Sequence, residues 1–341
     1  MRTKLLGADH LHTLISMGNL ASTYSIQGKW DKAKKLGVQV LDMKMKVLGA
    51  DHPHTLISMG DLASTYLSQG KWNEAEQLEV QVFDMRKKLL GAEHPDTLLS
   101  MGNLARTYAN KGDLNKAEQL EVQVLDMRKR LLGAEHPDTL LTMGNLTSTY
   151  LNQGRWNDAE KLGVQALDMR MKVLGAEHPD TLVSMGDLAS TYSSQGKWNK
   201  AEQLEVQVFD MRKKLLGAEH PDTLLSMGNL AKTYVIKGDL NKAEQLEVQG
   251  LDMRKKLLGA EHPHTLISME NLATIYAIKG NLKEAEQLAV QVLDITKKLL
   301  GAEHPDTLRS IRNLANTYTI QGKWNEAEQL EVQVLEHEKE S

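Results

Sequence analysis

Eight histidines stand 42 residues apart, at His10, His52, His94, His136, His178, His220, His262 and His304. Three of them have a second imidazole two residues on, at His12, His54 and His264. Imidazole is a common zinc ligand and carries protons near neutral pH. Ligands one repeat apart cannot converge on a single ion within the ~2 Å that zinc needs, and two imidazoles alone make a weak site. The ladder therefore points to packing of loops and helix starts. Carboxylates are abundant, yet each recurs within a charge pattern expected on exposed helix faces. The chain has no Gly-x-x-x-x-Gly-Lys-Ser/Thr loop, no Gly-x-Ser-x-Gly elbow and no His-Glu-x-x-His pair. Hence no catalytic residue, no metal ligand and no cofactor is expected, and the chain does not read as an enzyme.

The elements that carry these residues follow from the period. Gly7, Gly49, Gly91, Gly133, Gly175, Gly217, Gly259 and Gly301 are evenly spaced, and with each as position 1 all eight tyrosines fall at position 18. A fixed period of this size marks one supersecondary unit stacked on itself. The expected organisation is a single array over 1–341 with repeats 7–48, 49–90, 91–132, 133–174, 175–216, 217–258, 259–300 and 301–341. Residues 1–6 match the end of a preceding repeat. Charged residues make up 25% of the chain, with signs interleaved and a net charge of −4, which leaves no footprint for nucleic acid or an anionic membrane. With no cysteine, no long apolar run and no leader-like start, a soluble cytoplasmic protein is expected.

Within repeat three, His94-Pro95-Asp96-Thr97 opens a first helix, A, with proline at its start and an acid against the dipole. Leu98, Met101, Leu104, Ala105 and Tyr108 give it one apolar face, and Gly112 ends it. Asn115-Lys116-Ala117-Glu118 resembles a capping box for a second helix, B. Its expected buried stripe is Ala117, Leu120, Val124, Met127 and Leu131, with Gly133 as a left-handed cap. Each helix should run ~15–17 residues. Methionines at positions 11 and 37 read as core filler, and the tryptophans at position 24 as packing at the A–B turn.

Leu104, Ala105, Tyr108, Gly112 and Ala117 are spaced like the core of a tetratricopeptide repeat, with Met101 where that motif usually has tryptophan. The 42-residue period resembles the kinesin-light-chain type. The phrases GAEHPDTL, NLASTY and AEQLEVQVLDMRKKLLG are similar to the C-terminal arrays of fungal NB-ARC/NACHT (STAND) receptors. The resemblance implies an all-α solenoid, a right-handed superhelix of eight helix-turn-helix units whose A helices line a concave groove. It also implies a protein or peptide ligand held there without catalysis. Alternatives are a kinesin-light-chain-like cargo adaptor, or a structural or engineered repeat protein with no natural ligand.

By that correspondence positions 9, 12, 13, 16, 19 and 20 face the groove. The candidate partner-binding residues are Asn19, Asp61, Asn103, Arg106, Asn145, Asp187, Asn229, Lys232, Asn271 and Asn313. Side-chain amides suit an extended ligand because they donate and accept at once. Position 12 holds Gly18, Gly60, Gly102, Gly144, Gly186 and Gly228, then Glu270 and Arg312. Mid-helix glycine costs ~1 kcal/mol against alanine, so close approach of a neighbouring helix, or of a partner, is expected there. Repeats two and five differ at five positions, as do three and six. Five of those ten changes fall on the groove set: Ile57/Val183, Leu67/Ser193, Arg106/Lys232, Ala109/Val235 and Asn110/Ile236. The groove is therefore expected to be the surface under pressure to change. The last repeat turns polar at His337 and Ser341, a partial cap, whereas the first helix A has none, so self-association through the N-terminal end is expected.

Overall fold

The computed structural model describes Gly7 and residues 10–339, and every regular element among them is an α-helix. Two compact units divide the chain, Met1–Val173 and Leu174–Ser341. The first contains α1 (Leu11–Ile26), α2 (Trp30–Leu48), α3 (Pro53–Ser68), α4 (Trp72–Leu90), α5 (Pro95–Lys111), α6 (Leu114–Leu132), α7 (Pro137–Asn152) and α8 (Trp156–Leu174), which ends at the boundary. The second contains α9 (Pro179–Ser194), α10 (Trp198–Leu216), α11 (Pro221–Lys237), α12 (Leu240–Leu258), α13 (Pro263–Lys279), α14 (Leu282–Leu300), α15 (Pro305–Ile320) and α16 (Trp324–Lys339). Odd numbers are A helices and even numbers are B helices. The expectations placed on residues 1–6, on the His337 side chain and on Ser341 lie outside the described residues.

The histidine ladder caps the A helices. In all eight repeats the imidazole Nδ1 accepts from the backbone N–H two residues on, as His94 does from Asp96 at 3.1 Å and His136 from Asp138 at 3.1 Å. An orphan donor of the first turn is thereby satisfied, and proline follows as the first helical residue in seven of the eight.

Helix B departs from expectation at both ends. It begins one residue early, at Leu114 in repeat three, and Asp113 at its cap makes no side-chain cap bond, so the capping box does not form. Most B helices then run 19 residues. Gly133 closes the helix at φ 93° and ψ 163°, a positive φ that demands glycine but an extended ψ rather than the left-handed helical one. Gly112, at φ 90° and ψ 1°, does take the left-handed conformation.

Within each unit a B helix packs on its own A helix and on the A helix that follows it there. Leu41 of α2, Leu56, Met59 and Leu62 of α3, and Val82 of α4 form one such cluster. Leu251 of α12, Leu266, Met269 and Leu272 of α13, and Val292 of α14 form its counterpart in the second unit. The position-11 methionines are core from Met59 onward. Burial on two sides shifts the helix B stripe, so Leu125, Glu121 and Arg128 are buried while Leu131 is 45% exposed. At the outer edge, position 21 reaches back to the previous repeat's glutamate, as in Lys111–Glu76 at 2.6 Å and Gln153–Glu118 at 2.9 Å.

Candidate functional site

Consecutive A helices touch one another within both units, as α1 does α3, α5 does α7, and α13 does α15. The ten candidate residues all lie on these A helices. Asn19, Asp61, Asn145, Asn229, Asn271, Asn313, Arg106 and Lys232 are exposed, and Asn103 and Asp187 half-buried. Several already serve the fold. The Asn271 amide donates to Glu247 Oε1 at 3.0 Å. Arg106 and Lys232 lie close enough to Glu79 and Glu205 to favour the ionised form of each.

These glutamates correct the expectation that carboxylates decorate exposed faces. Glu79, Glu121 and Glu247 are buried, and Glu205 half-buried, at position 31 of helix B. Each sits in a seam between its own repeat and the next A helix, with its Oε2 lacking a hydrogen-bond partner. Burial pushes Glu79, Glu121 and Glu205 up to about 7. Arg106 and Arg86 oppose the rise at Glu79, as do Thr149 at Glu121 and Thr233 with Lys232 at Glu205. Glu247 is raised as well, by burial, against the hydrogen bond from Asn271.

A base at position 38 accompanies each acid. It clamps the next A helix by a hydroxyl and a carbonyl. Arg128 donates to Thr142 Oγ1 at 2.7 Å and to Asp138 O at 2.9 Å. Lys44 does the same to Ser58 Oγ at 2.7 Å and His54 O at 3.2 Å, and Arg86 to Ser100 Oγ at 2.8 Å and Asp96 O at 3.1 Å. Where the acid is missing from position 31, another position supplies it. Gly37 precedes Asp61, whose charge supports the Lys44 ammonium against burial. Ala289 belongs to the repeat that carries Glu270 at position 12. That seam also moves its base, with Thr296 at position 38 and Arg309 Nε 3.5 Å from Glu270 Oε2. In each seam within the two units, one acid and one base from this small set of positions are retained. The signal was present in the sequence: positions 31 and 38 lie seven apart, on one face of helix B, and interrupt its apolar stripe with opposite charges.

The position-12 glycines do not serve helix approach. A Cβ added at Gly18, Gly60, Gly102 or Gly144 meets nothing within 4 Å, and at Gly228 only Arg254 Nη2 at 3.7 Å and Glu247 Oε1 at 3.9 Å. Gly102→Ala is expected to stabilise the chain by ~1 kcal/mol through helix propensity. Urea denaturation checks this, and a loss of stability would expose a contact these distances do not contain.

The A face also carries a cavity of about 180 Å³ between α13 and α15, floored by α14 and lined in part by Glu270, Ala289, Ser310 and Asn313. Among the described residues no group of three or more His, Asp or Glu side chains is placed to hold a metal ion. Nor is any helix there long and apolar enough to cross a membrane.

Helix pairs that follow one another along the chain, with B helices shared between two A helices inside each unit, define an α-helical repeat protein. The chain belongs to the tetratricopeptide repeat family: sequence models of that repeat match residues 122–172, 148–214, 248–298 and 264–339, and a second set matches 13–54, 55–96, 97–138 and 223–264. No curated protein matches the chain. Among solved structures it is similar to one from Podosopora anserina described as a kinesin light chain with nearly identical TPR-like repeats. The two are 34% identical over 60% of this chain and 97% of that one, with a TM-score of 0.53. The STAND protein with a tetratricopeptide repeat sensor from Pyrococcus horikoshii aligns at a TM-score of 0.61 and 14% identity, over 96% of this chain and 47% of that one. A Rap protein complexed with competence and sporulation factor aligns at 0.56 and 10% identity, over 96% and 98%. The last two likenesses concern the fold alone.

Proposed function

We propose that the chain is a non-catalytic recognition array that binds a protein or an extended peptide on its helix A face. One observation carries this reading. The five A-face changes between the paired repeat copies all involve side chains that are exposed or half-buried, and of these Val235 packs against a core cluster. Exposed helix B residues account for only two of the ten changes, Glu74/Lys200 and Arg130/Lys256, each exchanging one charged side chain for another, so the A face carries the larger share. Exposed amides at Asn19, Asn145, Asn229 and Asn313 add donors and acceptors suited to a ligand main chain. The Rap protein solved with a bound factor shares this architecture.

The setting we favour is the ligand-sensing region of a fungal immune-type STAND receptor, in keeping with the fold of the STAND sensor. The kinesin-light-chain description of the Podosopora anserina repeats supports a second reading, a cargo adaptor using the same face. The test is selection from a random peptide library displayed on phage. The parent is compared with a variant carrying Asn103→Ala, Arg106→Ala, Asn229→Ala, Lys232→Ala and Asn313→Ala, which together cover the A faces of α5, α11 and α15. Peptides selected on the parent are expected to lose tenfold or more in affinity for the variant; equal binding would remove the A face as the site.

A further inference from the structure

The seam between repeats seven and eight is built unlike the others. Its acid, Glu270, comes from an A helix, as Asp61 does in the first seam, but here the base, Arg309, also comes from an A helix, the one that follows. Ala289 therefore stands where Glu79, Glu121 and Glu247 fill their seams. A small residue at this position does not by itself open a cavity. At Gly37 the space is taken by Leu62 Cδ1, 3.2 Å from where a Cβ would sit, and only about 20 Å³ remains. Beside Ala289 the neighbours are also small, Ala273 and Ala277, and about 180 Å³ stays open. That is the size of an apolar cavity able to admit a benzene-sized group.

We propose that this cavity is an anchor pocket for one neutral aliphatic side chain, of leucine size, from an extended peptide lying across α13 and α15. The inference rests on the A-face reading of function and specifies its ligand. Ala273, Ala277, Ala289 and Val292 supply an apolar floor, and Ile278 and Ile320, 53% and 48% exposed, continue it to the mouth. Charge decides among possible occupants. Glu270 Oε1 accepts from Ser310 Oγ at 2.9 Å, and its Oε2 lies 3.5 Å from Arg309, which also pairs with Asp306 at 2.8 Å, so the single acid of the pocket already has a hydrogen bond and a shared counter-charge. A cationic side chain would have to displace Arg309 from Glu270, and an anionic one would lie against the Glu270 carboxylate with only neutral amides and hydroxyls in the lining to offset it. A neutral branched chain needs neither. Asn313 and Asn316, exposed at the rim, are placed to pair with the peptide main chain on either side of the anchor.

The test uses peptides from a random library selected on the full chain, together with Ala289→Leu, which fills the pocket from its floor, and Ala277→Val, which narrows it from α13. Both variants are checked for parental helicity. Selected peptides are expected to share one aliphatic residue. Changing it to alanine should weaken binding to the parent by tenfold or more, the factor expected for exposing a leucine-sized group. The same change should cost twofold or less on Ala289→Leu, and on Ala277→Val if the first variant misfolds. Peptides that bind the A face without an aliphatic requirement, or equally to parent and filled variants, would overturn the pocket and leave the A-face reading standing. Enrichment of no peptide on the folded parent would overturn both.

Discussion

Raising the pH from about 5 to about 8 is expected to destabilise the chain, and glutamine at Glu79, Glu121 and Glu205 is expected to remove most of that loss. These carboxyls are held near 7 in the folded chain, against 4.5 for a free glutamate. Between those values the folded state binds more protons than the unfolded one, so the slope of unfolding free energy with pH is negative. Stability is greatest below about 4.5 as far as these groups are concerned, falls through the window, and levels off above about 7. A displacement of that size corresponds to roughly 3 kcal/mol per fully buried group, an upper bound for half-buried Glu205. Glutamine keeps the shape and the hydrogen-bonding capacity without the charge. Urea melts of parent and triple variant at both pH values check the claim, with the largest difference at pH 8. Equal pH slopes in the two proteins would show that the seam carboxyls ionise freely.

Arg128→Ala should cost ~2–4 kcal/mol, the second large effect. The guanidinium is buried and supplies donors to the Asp138 carbonyl and the Thr142 hydroxyl, both from the next A helix. Its loss removes the cationic donor from both, leaving the Thr142 hydroxyl and the Asp138 carbonyl paired only with each other, and empties the space of the long aliphatic stem. Arg128→Lys should cost far less, since Lys44 already performs this task in the first repeat with the same two kinds of acceptor. Denaturant midpoints rank the three proteins. An alanine variant within ~0.5 kcal/mol of the parent would mean that the clamp contributes only local order.

Most of the fold was legible because repetition averages out local ambiguity. Eight copies of Leu–small–Tyr–Gly at one spacing leave no alternative period, and structure and family agree on helix pairs. Two local readings failed for physical reasons. The Asn-x-x-Glu pattern at Asn115 lies inside helix B because the turn from Gly112 tightens sooner than the pattern implies. Leu131 stays exposed because two-sided packing turns helix B toward Glu121, Leu125 and Arg128.

Less of the candidate site was legible. The asparagine row was visible as a ladder, but sequence alone does not say whether an amide faces a ligand or its own chain, and Asn271 turns out to hold Glu247. The seam charges were overlooked because each position, taken singly, resembles ordinary helix polarity. They emerge only when the exchanges Gly37 with Asp61, Ala289 with Glu270 and Thr296 with Arg309 are set side by side. In sequence Gly163 and Asp187 repeat the first of these exchanges. Variation on the A face above a charge balance kept in the seams below it fits an array whose stacking is maintained while its outer contacts change.

The central claim is that the A helices, and not the B helices, present the binding surface. Photo-crosslinking tests it most directly: a library-selected peptide carrying a photoreactive residue is bound to the chain, irradiated, and its attachment sites read by mass spectrometry. Adducts confined to the exposed positions of α5, α7, α11, α13 and α15 are the result expected. Adducts concentrated on α6, α12 or α14 would place the ligand on the opposite face and contradict the account.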